Sequence, residues 1–223
     1  MQRIFDIFFS SLAILFLIPL FTPIIILLRF SGEGEIFFLQ DRVGLNNKTF
    51  KLYKFATMLK DSPNIGTGTV TLKNDDRVLP FGKILRKTKI NELPQIANVF
   101  LGDMSFIGPR PQTRRCFEAY PYKSQKEIIK VKPGLSGIGS IIFRDEEDIM
   151  SKQDKPIDFY DSTLMPYKGL LEEWYIKNNT IGVYFFLIYA TIMKIIFRSD
   201  SISLLYRNIE LPPVPDELKS WIK

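Results

Sequence analysis

The sequence predicts an α+β protein, with an N-terminal re-entrant membrane helix at residues 1–30 and a small cytoplasmic-face domain at residues 31–223. Three observations lead to this fold class. Residues 7–28 carry no formal charge, residues 35–55 alternate as strands do, and residues 91–102 combine helix-start chemistry with a helical apolar stripe. We therefore expect one membrane helix, followed by a β-hairpin and by amphipathic helices that lie at the membrane interface.

The N-terminal apolar segment is long enough to enter a membrane. Its uncharged residues, 7–28, rise about 1.5 Å each and could cross a hydrocarbon core of ~30 Å, so a single spanning helix is one alternative. Pro19 and Pro23 favour the other alternative, because each removes a backbone hydrogen bond and kinks a helix. Arg3 and Arg29 flank the segment, and basic residues prefer the cytoplasmic side. The sequence thus favours a re-entrant helix, broken near its middle, with both ends on the cytoplasmic face.

The composition narrows the chemistry. The chain has no histidine and one cysteine, Cys116, which excludes zinc sites and Ser-His-Asp triads and leaves carboxylates and amides for acid–base or metal chemistry. Its net charge of +6 suits nucleic acid, an anionic membrane face or phosphorylated substrates. No recognition fold for nucleic acid is apparent, and the N-terminal segment would hold the chain at a bilayer. We therefore expect no nucleic acid partner.

The segment after the membrane helix predicts a β-hairpin. Its strands are expected at residues 35–40 and 48–55, with the turn at residues 44–47. Residues 61–76 are polar and glycine-rich, which predicts a mobile loop near the site. Residues 81–89 predict a short basic helix.

The start of the next helix is the most informative part of the sequence. Asn91 is a strong N-cap residue, Pro94 suits a first turn and Gly102 suits a helix end, so Glu92 would lie where a helix begins. Free N–H groups and the positive end of the helix dipole favour a phosphate there, and Arg86 lies upstream among lysines. These residues predict an anionic-ligand site. From residue types alone, a capped surface helix with solvated lysines is an equally weighted alternative.

The C-terminal half predicts further helices and loops. Residues 112–131 are compatible with helix, and residues 132–137 either offer backbone N–H groups to a phosphate or form a plain turn. The acidic residues 145–148 predict a solvated face or a helix start. Residues 181–197 predict an interfacial or core-packed helix rather than a second crossing, and residues 211–215 predict an extended tail.

Three short segments carry a family signature. Residues 91–95 read Asn-Glu-Leu-Pro-Gln, residues 102–105 read Gly-Asp-Met-Ser and residues 108–111 read Gly-Pro-Arg-Pro. They closely resemble the signature of bacterial sugar transferases, the monotopic phosphoglycosyl transferases, in which the first segment is Asp-Glu-Leu-Pro-Gln. The resemblance covers about residues 1–145 and includes further matching positions, which are Gln40, Arg42, Gly44, residues 54–58 and residues 132–139. It also implies a helix broken at Thr22 and Pro23 that dips into one leaflet.

The resemblance implies a reaction and its partners. It implies transfer of a phospho-sugar from a UDP-sugar to polyprenyl (undecaprenyl) phosphate, with release of UMP, at the cytoplasmic face of a bacterial inner membrane. This step would initiate glycoconjugate assembly. The expected partners are the UDP-sugar, the polyprenyl phosphate and the membrane, and a homo-oligomer is left open.

Phosphorylated substrates need fixed cations and, for a diphosphate, usually a divalent ion. Arginine is the better planar clamp for phosphate. The predicted phosphate-binding residues are Arg86, Arg110, Arg144, Arg42, Lys54 and Arg77. Mg²⁺ would bridge diphosphate oxygens and needs one or two protein oxygens, which Glu92 and the Asn91 carbonyl can supply.

One position departs from the family pattern in a way that affects the chemistry. Asn91 stands where the family carries the aspartate that attacks the β-phosphate and forms a covalent phospho-sugar intermediate. A neutral amide cannot do this efficiently, which leaves three alternatives: Glu92 has taken over, transfer is direct, or the chain is a catalytically inactive binding or scaffold relative. We predict an active enzyme with Glu92 and Asn91 at its catalytic centre. Ala56 is a second departure, since the family usually carries a basic residue there.

Overall fold

The computed structural model describes residues 1–66, 75–196 and 201–222. Its first element is helix α1, Gln2–Arg29, which among the described helices is the one long and apolar enough to cross a membrane, judged by length and composition. Pro19 and Pro23 lie inside α1, and helical structure continues through both, so the predicted interruption is not seen. The Thr22 hydroxyl donates to the Ile18 carbonyl at 3.0 Å and supports the helix at this point.

Both ends of α1 pack against the rest of the protein. Near the N-terminus, the buried Asp6 carboxylate accepts hydrogen bonds from side chains and backbone of the domain. Near the C-terminus, Ile24 and Leu28 are buried with Phe55 and Leu85. No residue from 11 to 23 is buried. The helix is therefore held by the domain near its two ends, and its middle is at least partly exposed throughout.

The predicted hairpin is confirmed, with the first strand displaced toward the C-terminus and the second beginning one residue later than expected. Strands β1, Phe37–Val43, and β2, Thr49–Phe55, pair antiparallel. A short 3₁₀ turn, Leu45–Asn47, joins them, with Asn46 and Asn47 at positive φ. Of the predicted loop at residues 61–76, Ser62–Asn64 form a 3₁₀ turn, and residues 67–74 lie outside the described residues.

The basic helix and the helix after it are also present. Helix α2 spans Pro80–Lys87, a 3₁₀ turn spans Ile90–Glu92, and helix α3 spans Gln95–Leu101. Gly102 ends α3 with φ of 98°, as its residue type predicts. The predicted N-cap at Asn91 is wrong, because α3 begins at Gln95, with Pro94 at its N-cap position and no side-chain cap.

Two short strands were not predicted. Strand β3, Ser105–Ile107, pairs parallel with strand β4, Gly134–Ser136. The crossing is so close that a Cβ atom on Gly134 would lie 2.1 Å from the Gly108 nitrogen. The glycines of residues 132–137 therefore allow two backbones to meet. Helices α4, Arg114–Glu118, and α5, Tyr122–Ile128, connect the two strands.

A π-helical segment, Tyr160–Leu164, and a 3₁₀ turn, Asp216–Leu218, accompany six α-helices in the rest of the described chain. These six α-helices enclose most of the core. They are α6 Ile138–Ile142, α7 Glu146–Ser151, α8 Pro156–Phe159, α9 Met165–Lys177, α10 Ile181–Ile196 and α11 Ser201–Asn208. The acidic run does start a helix, α7. Helix α10 is core-packed on one face, where Tyr184, Leu187 and Ala190 are fully buried, and residue 197 of the predicted helix lies outside the described part. Residues 211–215 are non-helical, as predicted.

Candidate active site

A cavity of about 930 Å³ lies between the hairpin, α2, the 3₁₀ turn before α3, and helices α6, α7 and α10. The alternation of strand β1 directs Phe38, Gln40 and Arg42 to its wall from one face of the hairpin. Seven of the eight predicted site residues line it, which are Arg42, Lys54, Arg86, Asn91, Glu92, Arg110 and Arg144. The structure thus brings together residues that are up to 102 positions apart in the chain, from Arg42 to Arg144.

Glu92, Arg110 and Lys54 form the charged centre of this cavity. Glu92 Oε1 lies 3.1 Å from Arg110 Nη2 and 3.9 Å from Lys54 Nζ. Burial acts to raise the pKa of Glu92, but Arg110, Lys54 and Lys89 outweigh it and hold that pKa well below its usual range. Glu92 in turn raises the pKa of Arg110 against the effect of burial. Glu92 is therefore ionised at neutral pH.

The environment of Lys54 disfavours its charged form, in contrast to that of Glu92 and Arg110. Burial lowers its pKa to about 7; Glu92 offsets part of this effect, and the positive charges of Arg42, Arg110 and Arg86 add to it. Lys54 thus changes its charge near neutral pH, whereas a free lysine does so near pH 10.4. It is the predicted phosphate-binding residue whose charge responds most readily to a bound anion.

The backbone on both sides of Arg110 is held by hydrogen bonds, one of which comes from Arg42. Arg42 Nη1 donates to the Pro111 carbonyl at 3.0 Å, and Nη2 donates to Gln40 Oε1. On the other side of Arg110, the Pro109 carbonyl accepts from the Gly134 nitrogen at 2.8 Å. Burial and the neighbouring Arg110 lower the pKa of Arg42 to about 10. Arg42 therefore holds the Arg110 segment in place as well as adding positive charge to the cavity.

Arg86 and Arg144 both line the cavity, but they differ in their contacts with the described residues. Arg86 Nη2 donates to Glu147 Oε1 at 2.6 Å. Arg144 has no hydrogen bond or ion pair to any residue that the structure describes. Of the two guanidinium groups, that of Arg144 is available to a ligand without first leaving a carboxylate.

Arg77 is the predicted site residue that lies apart from the other seven. It lies outside the cavity lining, and its guanidinium binds Asp75 through Nε at 2.8 Å and also through Nη2. Its Nη1 donates to the carbonyls of Ser62 and Ile65, each at 2.8 Å. The buried Arg77 side chain therefore holds the turn at residues 62–65 against Asp75. The structure thus places Arg77 apart from the other predicted residues, and its contact with substrate phosphate stays a prediction.

Asn91 occupies the cavity wall next to Glu92 without the capping role predicted for it. It is 5% exposed, and its side-chain Oδ1 is buried with no hydrogen-bond partner among the described residues. A buried amide oxygen without a partner is costly, at roughly 1–3 kcal/mol. A ligand donor or a cation in the cavity would satisfy it.

The acidic side of the cavity was missed at the sequence level. Glu146 and Glu147 both line it, and Glu146 Oε2 lies 2.6 Å from the Nζ of Lys168, which is 1% exposed. The available signal was an acidic run directly after a predicted phosphate-binding arginine. Nothing in the sequence marks Lys168, because lysines on helices are ordinarily exposed.

The arrangement can hold a multiply charged anion beside an ionised carboxylate. A carboxylate with so low a pKa is a weak general base, since proton transfer is most efficient when the pKa lies near the working pH. It is suited to nucleophilic attack or to metal binding, which both use the ionised form. Lys54 and Arg110 would release Glu92 and bind the phosphates of a ligand in its place.

Comparisons with known proteins identify relatives that match most of this chain. The UDP-N-acetylgalactosamine-undecaprenyl-phosphate N-acetylgalactosaminephosphotransferase of Aeromonas hydrophila is 34% identical over 196 residues, which cover 83% of this chain and 42% of that protein. The UDP-glucose:undecaprenyl-phosphate glucose-1-phosphate transferase of Escherichia coli (strain K12) is 35% identical over 167 residues, 71% of this chain and 35% of that protein. The exopolysaccharide production protein ExoY of Sinorhizobium fredii is 34% identical over 159 residues, which cover 65% of this chain and 70% of that protein.

The extent of these matches defines what they establish. The chain spans 42% and 35% of the lengths of the first two relatives, and the names of these two specify different sugars. The model of the family described as bacterial sugar transferase matches residues 1–198, which include α1, the hairpin and every residue of the candidate site. The chain belongs to the bacterial sugar transferase family.

Proposed function

We propose that the chain transfers a sugar 1-phosphate from a UDP-sugar to a polyprenyl phosphate and releases UMP. The observation that carries this proposal is the buried Glu92 carboxylate between Lys54 and Arg110, in a cavity that several further arginines line. Both substrates of the reaction are phosphates, which such a cavity attracts. Relatives named as undecaprenyl-phosphate phosphotransferases support an enzyme over a catalytically inactive relative.

Four of the predicted phosphate-binding residues divide into two groups in this proposal. Arg110 and Lys54, at the centre, bind the diphosphate of the donor and free Glu92 from its ion pairs. Arg86 and Arg144 flank the centre and bind the second phosphate or the nucleotide end. Because Arg86 is paired with Glu147, binding through it requires that pair to separate.

Mg²⁺ fits the residues that are present. The buried Oδ1 of Asn91 lacks a partner among the described residues, and the Glu92 carboxylate is ionised beside it. One neutral and one charged oxygen suit a cation that keeps most of its ligands from phosphates and water. Bound there, Mg²⁺ would neutralise charge on the diphosphate.

Glu92 is the proposed essential carboxylate. Attack of its oxygen on the β-phosphorus forms a carboxyl–phosphate bond, breaks the bond to the UMP oxygen and releases UMP. A phosphate oxygen of the polyprenyl phosphate then attacks the same phosphorus, and the carboxylate is restored. Direct attack by the polyprenyl phosphate, with Glu92 as a metal ligand, is the other route to the same products.

The reaction requires the cavity to face the bilayer surface, and we propose that α1 is re-entrant. A spanning helix has its ends on opposite sides of a core of ~30 Å, so one folded domain could not bind both. Here Asp6 and Leu28, at opposite ends of α1, are both buried against the same domain, while residues 11–23 include no buried one. Arg3 and Arg29, one at each end, favour the cytoplasmic side of the inner membrane for both ends.

The activity is tested by UMP release from a panel of UDP-sugars with Mg²⁺ and a short polyprenyl phosphate. Glu92→Gln should abolish release, while Glu118→Gln, which changes an exposed carboxylate outside the cavity, should leave it unchanged. Intact mass separates the routes, because the covalent route adds one sugar phosphate to the protein. Full activity in Glu92→Gln, or no release from the native chain with any UDP-sugar, would contradict the proposal.

The topology is tested by cysteine labelling in a Cys116→Ser background. The variants Gln2→Cys and Lys126→Cys each introduce one cysteine, the second at an exposed position. Both cysteines should be inaccessible to an impermeant reagent added to intact cells and accessible in inverted vesicles. Labelling of position 2 from outside, with position 126 protected, would establish a spanning helix instead.

A further inference from the structure

One wall of the cavity differs from the charged centre and comes from helix α10. Ile188, Ile192 and Ile195 follow the i, i+4, i+7 spacing of one helical stripe, and all three line the cavity. Ile192 is 44% exposed and Ile195 is 49% exposed, whereas Ile188 is partly buried against the main core. The stripe is therefore open at Ile192 and Ile195. Phe106 and Leu135, from the paired strands β3 and β4, extend the same apolar wall.

The two hydroxyls nearest the isoleucines in the chain order of β4 and α10, those of Ser136 and Thr191, already have partners. The hydroxyls of Ser136 and Thr191 lie 2.8 Å apart, and Thr191 also donates to the Leu187 carbonyl at 2.7 Å. A sugar or a nucleobase needs hydrogen-bond partners, which the side chains of Ile188, Ile192, Ile195, Phe106 and Leu135 do not offer. Its chemistry suits a hydrocarbon chain attached to a group that reaches the cations.

The wall is continuous with the surface of α1. Phe185, on the same stripe of α10, packs edge-on against Phe5 of α1 with ring centroids 5.0 Å apart. Phe106 packs edge-on against Phe9 of α1 at 6.5 Å. An apolar path therefore leads from the helix proposed to enter the bilayer to the cavity that contains Glu92.

We propose that Ile188, Ile192 and Ile195 of α10, with Phe106 and Leu135, bind the isoprenoid units next to the phosphate of the polyprenyl acceptor. The acceptor then enters sideways from the bilayer along α10, and its phosphate meets the cations at the end of this path. The wall thereby favours an acceptor that carries a hydrocarbon chain on its phosphate. This inference rests on the proposed transfer activity, which supplies the acceptor.

The first test compares two changes on the same helix. Ile192→Asn combined with Ile195→Asn makes the wall polar, and Tyr189→Asn is the matched control, because Tyr189 is 50% exposed and does not line the cavity. In detergent, the double variant should raise the KM for undecaprenyl phosphate roughly tenfold, since apolar contact is lost. The Kd for the UDP-sugar by calorimetry should stay unchanged, and the control should change neither value. An unchanged KM, or an equal loss of UDP-sugar affinity, would overturn the inference.

The second test does not depend on turnover, so it separates the lipid site from the proposed activity. A photoreactive polyprenyl phosphate should label residues 185–195, and undecaprenyl phosphate should compete whereas phosphatidylglycerol should not. Labelling confined to α1, or equal competition by phosphatidylglycerol, would show that the wall is a general lipid contact and overturn the inference. If the native chain releases no UMP, the activity fails while this experiment still decides the site.

Discussion

The charge of Lys54 predicts a pH dependence of donor binding that can be measured directly. Its pKa is lowered to about 7, chiefly by burial, and a bound diphosphate would raise that pKa again because it adds negative charge beside the ammonium group. The ligand therefore binds the protonated protein more tightly. The protonated fraction falls from about nine tenths at pH 6 to about one tenth at pH 8, given a pKa near 7. The Kd for the UDP-sugar should rise by up to about tenfold across this range, or ~1.4 kcal/mol.

Calorimetry in buffers of different ionisation enthalpy tests this prediction, because it reports both Kd and the protons taken up on binding. The native protein should take up close to one proton at pH 8 and almost none at pH 6. Lys54→Arg keeps the positive charge through this range and should abolish both the uptake and the pH dependence. A Kd that is constant from pH 6 to pH 8 in the native protein, or the same slope in Lys54→Arg, would refute the electrostatic argument.

Three further changes test how the fold supports the site. Asp6→Ala removes the acceptor of three hydrogen bonds between α1 and the domain and should lower stability in detergent by about 2–4 kcal/mol. Tyr184→Phe removes one of these hydrogen bonds and should lower stability by about 1–2 kcal/mol. Equal melting temperatures in native and Asp6→Ala protein would contradict this anchoring role. Arg77→Gln should lower the melting temperature without changing UDP-sugar affinity, and the reverse pattern would restore it as a substrate-binding residue. Gly134→Ala should lower the stability of the protein by about 1–3 kcal/mol, because the new Cβ atom would overlap a backbone nitrogen. The control Gly182→Ala should be neutral, because its Cβ atom meets one ordinary contact at 3.8 Å. Similar melting temperatures in the two variants would contradict the close approach of the two backbones.

The elements that sequence predicted well have strong local signals. An uncharged apolar run, an alternating pair of strands around Asn-Asn and a glycine after an apolar stripe each specify a conformation within a few residues. The helix α1, the hairpin and the end of α3 at Gly102 follow from such signals. The division of the chain at residue 30 stays a prediction, and the burial of both ends of α1 shows how closely the two parts pack.

The features that sequence could not predict depend on distant contacts. Strands β3 and β4 have three residues each, and they are strands because the chain returns through α4 and α5 to pair Gly134 with Ser105. Arg77 resembles the other candidate arginines in sequence, but its contacts with Asp75 and with the carbonyls of Ser62 and Ile65 set it apart. Long-range packing also buries Lys168, which no local pattern indicates.

Asn91 shows how one amide changes the electrostatics of the whole centre. Glu92 is the carboxylate that raises the pKa of Lys54, and this effect alone does not offset burial. A second carboxylate at position 91 would add negative charge beside it, so Asn91→Asp should raise the pKa of Lys54 and move the pH midpoint of UDP-sugar binding above 7. The same calorimetric titration detects this shift. An unchanged midpoint, with the variant folded, would mean that position 91 does not act electrostatically on Lys54, and its amide would then matter through its unpartnered oxygen alone.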